Sequence, residues 1–335
     1  MLSRKLVTCV ILAIFGLFIL AGCGSTPKAP EPAKTPDLAG ELIVYHAGSL
    51  AIPFEALEKE FEAKHPNLDI KRTPGGSVDL ARKISELGDS VDILASADYT
   101  VIDKLLIPNH AKWNAMFAAN AMVIMYTDKS KDAAAINANN WYDILLKDGV
   151  NYGYSDPNAD PCGYRSRLVM QLAEKYYEKP GLNQKLVDGC PEKNVRPKSV
   201  ELISLLETGA LDYAFEYESV AMQHAAKNSI FKYVKLPAQI NFGAIEHKDF
   251  YNAASIELKG SSPGETIKQV GEPIIFSLTM PASGKNNAVA YEFVKFLLDK
   301  EQGMKILQSQ GQPVLDKITV TGAENLPEQL KSIVK

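Results

Sequence analysis

Residues 41–77 read ELIVYHAGSLAIPFEALEKEFEAKHPNLDIKRTPGGS, and their pattern sets the class of fold. Glu41 to His46 reads as a strand and runs into the small-residue turn Ala47-Gly48-Ser49. Phe54, Leu57 and Phe61 then recur at three- and four-residue spacing, which predicts a helix. Leu68 to Arg72 alternates as a second strand. Gly75-Gly76-Ser77 leads into a helix with Leu80, Ile84 and Leu87 on one face. Val91 to Ala95 and Met122 to Tyr126 read as further short strands. Strand–helix alternation of this kind predicts an α/β body with a largely parallel sheet.

The second half repeats the style. Tyr152 to Ser155 is strand-like, and Asp160-Pro161-Cys162-Gly163 precedes a helix running to about Lys175. A helix is expected over Pro197 to Glu207, stopped by Gly209. Leu211 to Tyr217 and Pro273 to Met280 read as strands, and Asn287 to Leu298 as a strongly amphipathic closing helix. The expected organisation is two α/β lobes with the chain crossing between them more than once. Residues 41–124 form the first part of lobe 1, 125–272 form lobe 2, and 273–335 return to lobe 1.

The N-terminus points outward from the cell. Arg4 and Lys5 precede an uncharged, mostly apolar run from Leu6 to Gly22, and Leu20-Ala21-Gly22-Cys23 follows the pattern of a lipobox. Residues 1–22 are therefore expected to be a signal or lipoprotein segment with Cys23 the lipidated residue. The alternative is an uncleaved signal anchor, because the run is near the minimum for spanning a bilayer. Residues 23–40 carry Pro27, Pro30, Pro32 and Pro36 and read as an extended linker, on the order of 50 Å long at about 3.1 Å per residue. Removing residues 1–22 takes the net charge from −4 to −6. A mildly acidic chain without a basic stripe is not a nucleic-acid binder. Cys162 and Cys190 are the two cysteines of the body. In an oxidising exterior they can pair, though the sequence does not show that they are close. No spacing of Cys or His points to a structural zinc site.

One motif recurs: a strand, a short loop, then a helix opening on Ser, Asp or Gly. It occurs at Gly48-Ser49, Gly75-Gly76-Ser77, Asp160-Pro161-Cys162 and Ser199. Helix N-termini present unpaired N–H groups and about half a positive charge. In open α/β sheets the loops after strand ends face the ligand crevice. Several such termini aimed at one crevice can hold a small anion without Lys or Arg. The hydroxyls of Ser49 and Ser77 add neutral donors, and Pro161 suits a first helical position. Taken singly, each of these residues also serves as an ordinary helix cap.

Five stretches carry a resemblance: HAGSL at 46–50, PGGS at 74–77, ASADYTVIDKL at 95–105, PNADPCGYRS at 157–166 and LDYAFEYESVAMQH at 211–224. Together they resemble the tungstate/molybdate-binding proteins of archaeal ABC importers, the WtpA-type relatives of ModA, over residues 41 to 320. The resemblance implies a type II periplasmic-binding-protein fold, two α/β lobes with a hinge and a ligand cleft. It implies an oxyanion held by Gly48, Ser49, Ser77, the Asp160-Pro161-Cys162 segment and Tyr217. It also implies that carboxylate oxygens approach the metal centre and expand its coordination toward an octahedron. Tungsten(VI) and molybdenum(VI) accept extra oxygen ligands and sulfur in sulfate does not, so a carboxylate at Asp160 favours the metallates.

The sequence departs from the family at one place. The second carboxylate of the family opens the helix after the Arg-Pro-Lys run, but Arg196-Pro197-Lys198 is followed here by Ser199. Glu216, in an otherwise apolar strand, is the candidate replacement, because a charge there needs a partner or a purpose. Strand alternation counts against it, since Glu216 and Tyr217 should face opposite sides. The other possibility is no second carboxylate. Arg165 and Arg167 could touch the anion but are read first as surface charges or ion-pair partners, His46 as a core residue, and Asp92, Asp98 and Asp156 as turn and cap residues.

The expectation is thus a monomeric, extracytoplasmic solute-binding component working with an ABC permease and its ATPase. It would be anchored to the membrane, need no cofactor, have no enzymatic role, and close its lobes over tungstate or molybdate. Sulfate, phosphate or an organic anion is the alternative ligand, since one fold hosts many.

Overall fold

The computed structural model describes residues 38–260 and 264–334. The signal or lipoprotein segment 1–22, Cys23 and the linker as far as residue 37 lie outside the described residues. Among the described residues no helix is long and apolar enough to cross a membrane. The strands, in chain order, are β1 (Ala39–Ala47), β2 (Asn67–Gly75), β3 (Ile93–Ser96), β4 (Asn114–Ala119), β5 (Met122–Thr127), β6 (Tyr152–Ser155), β7 (Val195–Arg196), β8 (Tyr213–Tyr217), β9 (Phe231–Lys235), β10 (Ser255–Lys259), β11 (Thr266–Val270), β12 (Ile275–Thr279) and β13 (Val314–Thr321).

They form a six-stranded sheet in the order β13-β4-β12-β3-β1-β2, a five-stranded sheet in the order β7-β6-β8-β5-β9, and the separate hairpin β10-β11. Each large sheet with its helices makes one α/β lobe. The sheets are mixed rather than largely parallel. β1 is parallel to β2 and β3, but β12 runs antiparallel to β3 and β4. β5 is likewise antiparallel to β8 and β9. The physical reason is the repeated crossing: a strand that enters a sheet from the other lobe arrives from the opposite end.

The crossing is at Asn120-Ala121, so all of β5 lies in the second sheet and the boundary expected at 124/125 falls inside it. All six residues of β5 are buried, as a central strand covered on both faces requires. The return crossing lies alongside the first. Asn120 N–H donates to Ile274 O at 3.3 Å and Met122 N–H to Asn241 O at 2.8 Å. The Asn120 side chain ties this region to Ser219, with Nδ2 2.8 Å from Ser219 Oγ. Two crossing segments held side by side form the connection about which such lobes move.

Several element ends differ from the sequence expectation. Ala39 and Gly40, assigned to the linker, pair with Asn67 and Leu68 at the start of β1. The prolines that would block pairing end at Pro36. The helix after Gly76 spans Ser77–Ser85, so Leu87 lies beyond its end, next to Gly88 at φ +75°, and is 73% exposed. The helix expected from Pro197 begins only at Glu201, after a turn in which Glu201 N–H donates to Lys198 O and Leu202 N–H to Ser199 O. The closing helix is Asn287–Leu298 as its spacing indicates, burying Val289, Ala290, Phe293, Val294 and Leu297. In the second lobe Trp141 meets Phe215 edge-on at 5.7 Å, both fully buried. A buried aromatic of this size contributes about 1.5–3 kcal/mol, which rigidifies β8 just before Glu216.

Candidate functional site

Four loops meet where the lobes face each other. Gly48 lies against Val200, so a Cβ there would sit 3.1 Å from Val200 Cγ2. Gly76 lies against the backbone of the opposite lobe, and a Cβ there would be 2.3 Å from Ala159 O and 3.1 Å from Pro197 O. The backbone N–H groups of Val78 and Asp79, at the start of the helix Ser77–Ser85, donate to that same Ala159 carbonyl at 3.1 and 3.3 Å. The loops at 48–49, 75–77, 159–162 and 197–200 therefore converge, which the strand–loop–helix motif alone did not establish. The N–H groups of Val78 and Asp79 are spent on lobe–lobe contact, which the motif did not reveal.

Among the described residues the hydroxyl proton of neither Ser49 nor Ser77 has an acceptor. Ser77 Oγ is fully buried and accepts from Ala97 N–H at 3.0 Å, leaving its own O–H to donate. Ser49 Oγ is buried and, among the described residues, has no hydrogen-bond partner. A buried hydroxyl without a partner costs roughly 1–3 kcal/mol.

Asp160 is 5% exposed and divides its carboxylate between two loops. Oδ1 accepts from Cys162 N–H at 3.3 Å as the cap of the helix Pro161–Tyr176, and Oδ2 accepts from Ser199 N–H at 2.8 Å. Pro161 opens that helix, where its missing N–H is not needed. Burial raises the Asp160 pKa to about 6, against the lowering effects of Ser199 N–H, the Ser155 hydroxyl, Cys162 N–H and the Arg165 charge.

Glu216 joins the same cluster. It is fully buried because β8 is a central strand with all five residues covered. Oε1 accepts from Ser199 Oγ at 3.0 Å and from Tyr217 N–H at 2.8 Å, with Cys162 Sγ 3.9 Å away. Oε2 is buried and has no hydrogen-bond partner among the described residues. Burial pushes the Glu216 pKa up to about 8; the Tyr217 N–H opposes this and the nearby Asp160 charge adds to it. The same surroundings hold the Cys162 thiol well above its ordinary value, through burial and the two carboxyls.

Tyr217 is fully buried at the last position of β8, and its phenol oxygen accepts from Arg165 Nη1 at 2.8 Å. Strand alternation separates the side chains of Glu216 and Tyr217, yet both end beside the N-terminus of the helix Pro161–Tyr176. Glu216 faces Cys162 and Tyr217 faces Arg165.

Cys162 and Cys190 are both free and buried, so the pairing left open by the sequence is absent. Cys162 faces Phe215 O and Glu216, while Cys190 faces Tyr152 O at 3.4 Å. Of the two roles read for Arg165, the structure shows the ion-pair partner and not the surface charge: it is 3% exposed and paired with Asp98 at 2.7 Å. Asp98 is a cap, accepting from Thr100 N–H, but it also takes this ion pair. His46 is a fully buried residue engaged by Ala47 O and Arg72, and burial lowers its pKa to about 4. Ser155, at the carboxyl end of β6, was not among the expected site residues; its buried Oγ has no hydrogen-bond partner among the described residues.

Two α/β lobes joined by paired crossings, with hydroxyls and buried carboxyls facing each other from four converging loops, define a two-lobe solute-binding protein. Residues 42–312 match the family of bacterial extracellular solute-binding proteins, and the chain belongs to that family. It is 48% identical to an uncharacterised solute-binding protein of Petrotoga mobilis, over 89% of this chain and 91% of that one. It is 39% identical to the molybdate/tungstate-binding protein WtpA of Thermococcus kodakarensis, over 97% of this chain and 94% of that one. In fold it resembles the periplasmic molybdate-binding protein of Azotobacter vinelandii, with a TM-score of 0.60 and 18% identity over 82% of this chain and 100% of that one.

Proposed function

We propose that this protein captures tungstate or molybdate outside the cell and delivers it to an ABC-type permease with its ATPase. The observation that carries this reading is the pair of buried carboxyls, Asp160 and Glu216, joined through Ser199, with Glu216 Oε2 unpartnered among the described residues. In their ionised forms two buried carboxyls repel a simple dianion. They suit an oxyanion whose central atom is large and electron-poor enough to take further oxygen ligands. The name of the Thermococcus relative supports the same ligand class.

In this reading the hydroxyls of Ser49, Ser77 and Tyr217 donate to the oxyanion oxygens. Gly48 lets the backbone approach closely, and the Asp160-Pro161-Cys162 segment with Ser199 forms the wall that presents the carboxyls. Asp160 and Glu216 are the ligands to the metal centre. Contacts from both lobes favour the closed form, which docks on the permease. The role is capture and not catalysis, and the protein acts as a monomer tethered through lipidated Cys23 or a signal anchor.

Isothermal titration with tungstate, molybdate and sulfate tests the proposal. Tight binding of the first two with sulfate far weaker is expected. Sulfate binding as tightly as tungstate removes the reason for the carboxyl pair and contradicts it.

A further inference from the structure

Arg165 of the helix Pro161–Tyr176 belongs to the second lobe, yet most of its partners lie in the first. Nη1 donates to Ala97 O at 2.8 Å and to the Tyr217 phenol at 2.8 Å, and Nη2 donates to Asp98 Oδ2 at 2.7 Å. Asp98 is itself fixed, because its Oδ1 caps the helix Tyr99–Leu105 through Thr100 N–H at 2.8 Å. The neighbouring Tyr164 also donates to Asp98 Oδ2, at 2.6 Å. One carboxylate of lobe 1 is thus gripped by two consecutive residues of lobe 2. The Tyr217 ring is pinned in turn by Phe276 of β12, again from lobe 1, at 5.6 Å and 68°.

A guanidinium only donates. Its bond to Tyr217 therefore fills a lone pair of the phenol oxygen and leaves the phenol proton to be given elsewhere. Among the described residues no acceptor takes that proton. A phenol ordinarily keeps its proton at neutral pH. The Arg165 charge is balanced by Asp98, so the guanidinium brings the site orientation and no net charge.

We propose that Arg165, held across the cleft by Asp98, is a positioning residue that fixes Tyr217 as a hydrogen-bond donor to the bound oxyanion only when the lobes are closed. Opening withdraws Asp98, Ala97 and Phe276 together, and both Arg165 and the phenol lose their restraints. Closure and donor orientation are then one event, and the solute selects the closed form partly through this hydroxyl. The inference rests on the oxyanion reading given above.

The test is a double-mutant cycle on tungstate affinity by isothermal titration, using wild type, Asp98→Asn, Tyr217→Phe and the double variant, with the ligand-free melting temperature recorded for each. Tyr217→Phe is expected to weaken binding roughly 10-fold or more in the wild-type background, as for a hydrogen bond to a charged group. In the Asp98→Asn background the same change is expected to cost less than about twofold. If Asp98→Asn does not fold, Tyr164→Phe, which removes one of the two lobe 2 bonds to Asp98, takes its place with the same criterion. A merely structural role for Asp98 lowers the melting temperature and leaves the Tyr217→Phe loss the same in both backgrounds. That result overturns the inference while the function stands. Absence of tungstate and molybdate binding by the wild type contradicts the functional reading and removes the inference with it.

Discussion

The hydroxyl of Ser199 lies 3.0 Å from Oε1 of Glu216, so a loop residue and a central-strand carboxyl share one point in the cleft. In the proposed reading Glu216 of β8 supplies the second carboxyl in place of one at the Ser199 position, and the Ser199 hydroxyl donates a hydrogen bond to it. A glutamate buried in the middle of a sheet is costly unless it has a purpose.

Moving the carboxyl back should therefore preserve the site. Glu216→Ala is expected to weaken tungstate binding at least tenfold, about 1.4 kcal/mol. Adding Ser199→Glu to that variant should recover most of the loss. Titration of the three proteins checks this, and an Ala variant that binds like wild type sinks the role given to Glu216.

Lobe closure should be sensitive to a single methyl group at Gly76. Its backbone, at φ −65° and ψ 130°, is open to any residue, so alanine strains nothing locally. The added Cβ would meet Ala159 O at 2.3 Å across the cleft. Gly76→Ala is expected to fold with near-normal stability, remain more open by small-angle scattering, and bind tungstate at least ~10-fold more weakly. An unchanged affinity would show that the lobes need not meet there.

The ligand-free protein should lose stability as pH rises. The carboxyls of Glu216 and Asp160 have pKa values raised from 4.5 to about 8 and from 3.8 to about 6. Each binds its proton more tightly when folded than when unfolded. The contribution is fully present below the unfolded values and is lost as pH passes through the folded ones. The melting temperature of ligand-free protein should fall between about pH 6.5 and pH 8, above the range in which buried His46, with its pKa lowered to about 4, opposes the trend. Glu216→Gln should flatten the upper part of that fall. A wild-type profile that rises through this range contradicts the assignment.

Reductant should leave the body of the protein unaffected. Cys162 and Cys190 are free and buried. The melting temperature is expected to be the same with and without reductant, and both thiols should label only after unfolding. A drop of several degrees on reduction would indicate a bond between them.

The lobes were legible because β1, β8 and the helix Asn287–Leu298 each carry a strong local pattern. β4 (Asn114–Ala119) was not read, since its alanines give little strand signal and its place depends on partners far along the chain, β12 and β13. The hairpin β10-β11 was equally silent, because its sequence is half exposed and polar. Within the site, Ser49, Ser77 and Asp160 were visible as turn residues opening helices. Their convergence was not, because it depends on lobe packing at Gly48 and Gly76. Glu216 stood out as a charge in an apolar strand, but its direction depends on where β8 ends. Arg165 illustrates the limit most clearly: its partner Asp98 lies 67 residues away and in the other lobe. No local pattern distinguishes a buried cross-lobe arginine from a surface one.

In the proposed site Asp160 and Glu216 both reach the metal centre of the bound oxyanion. X-ray absorption at the tungsten edge of the purified complex measures this directly. An oxygen shell expanded from tetrahedral toward octahedral, reverting toward tetrahedral in Glu216→Ala, is the predicted result. A wild-type complex with a purely tetrahedral shell, unchanged in that variant, would contradict it.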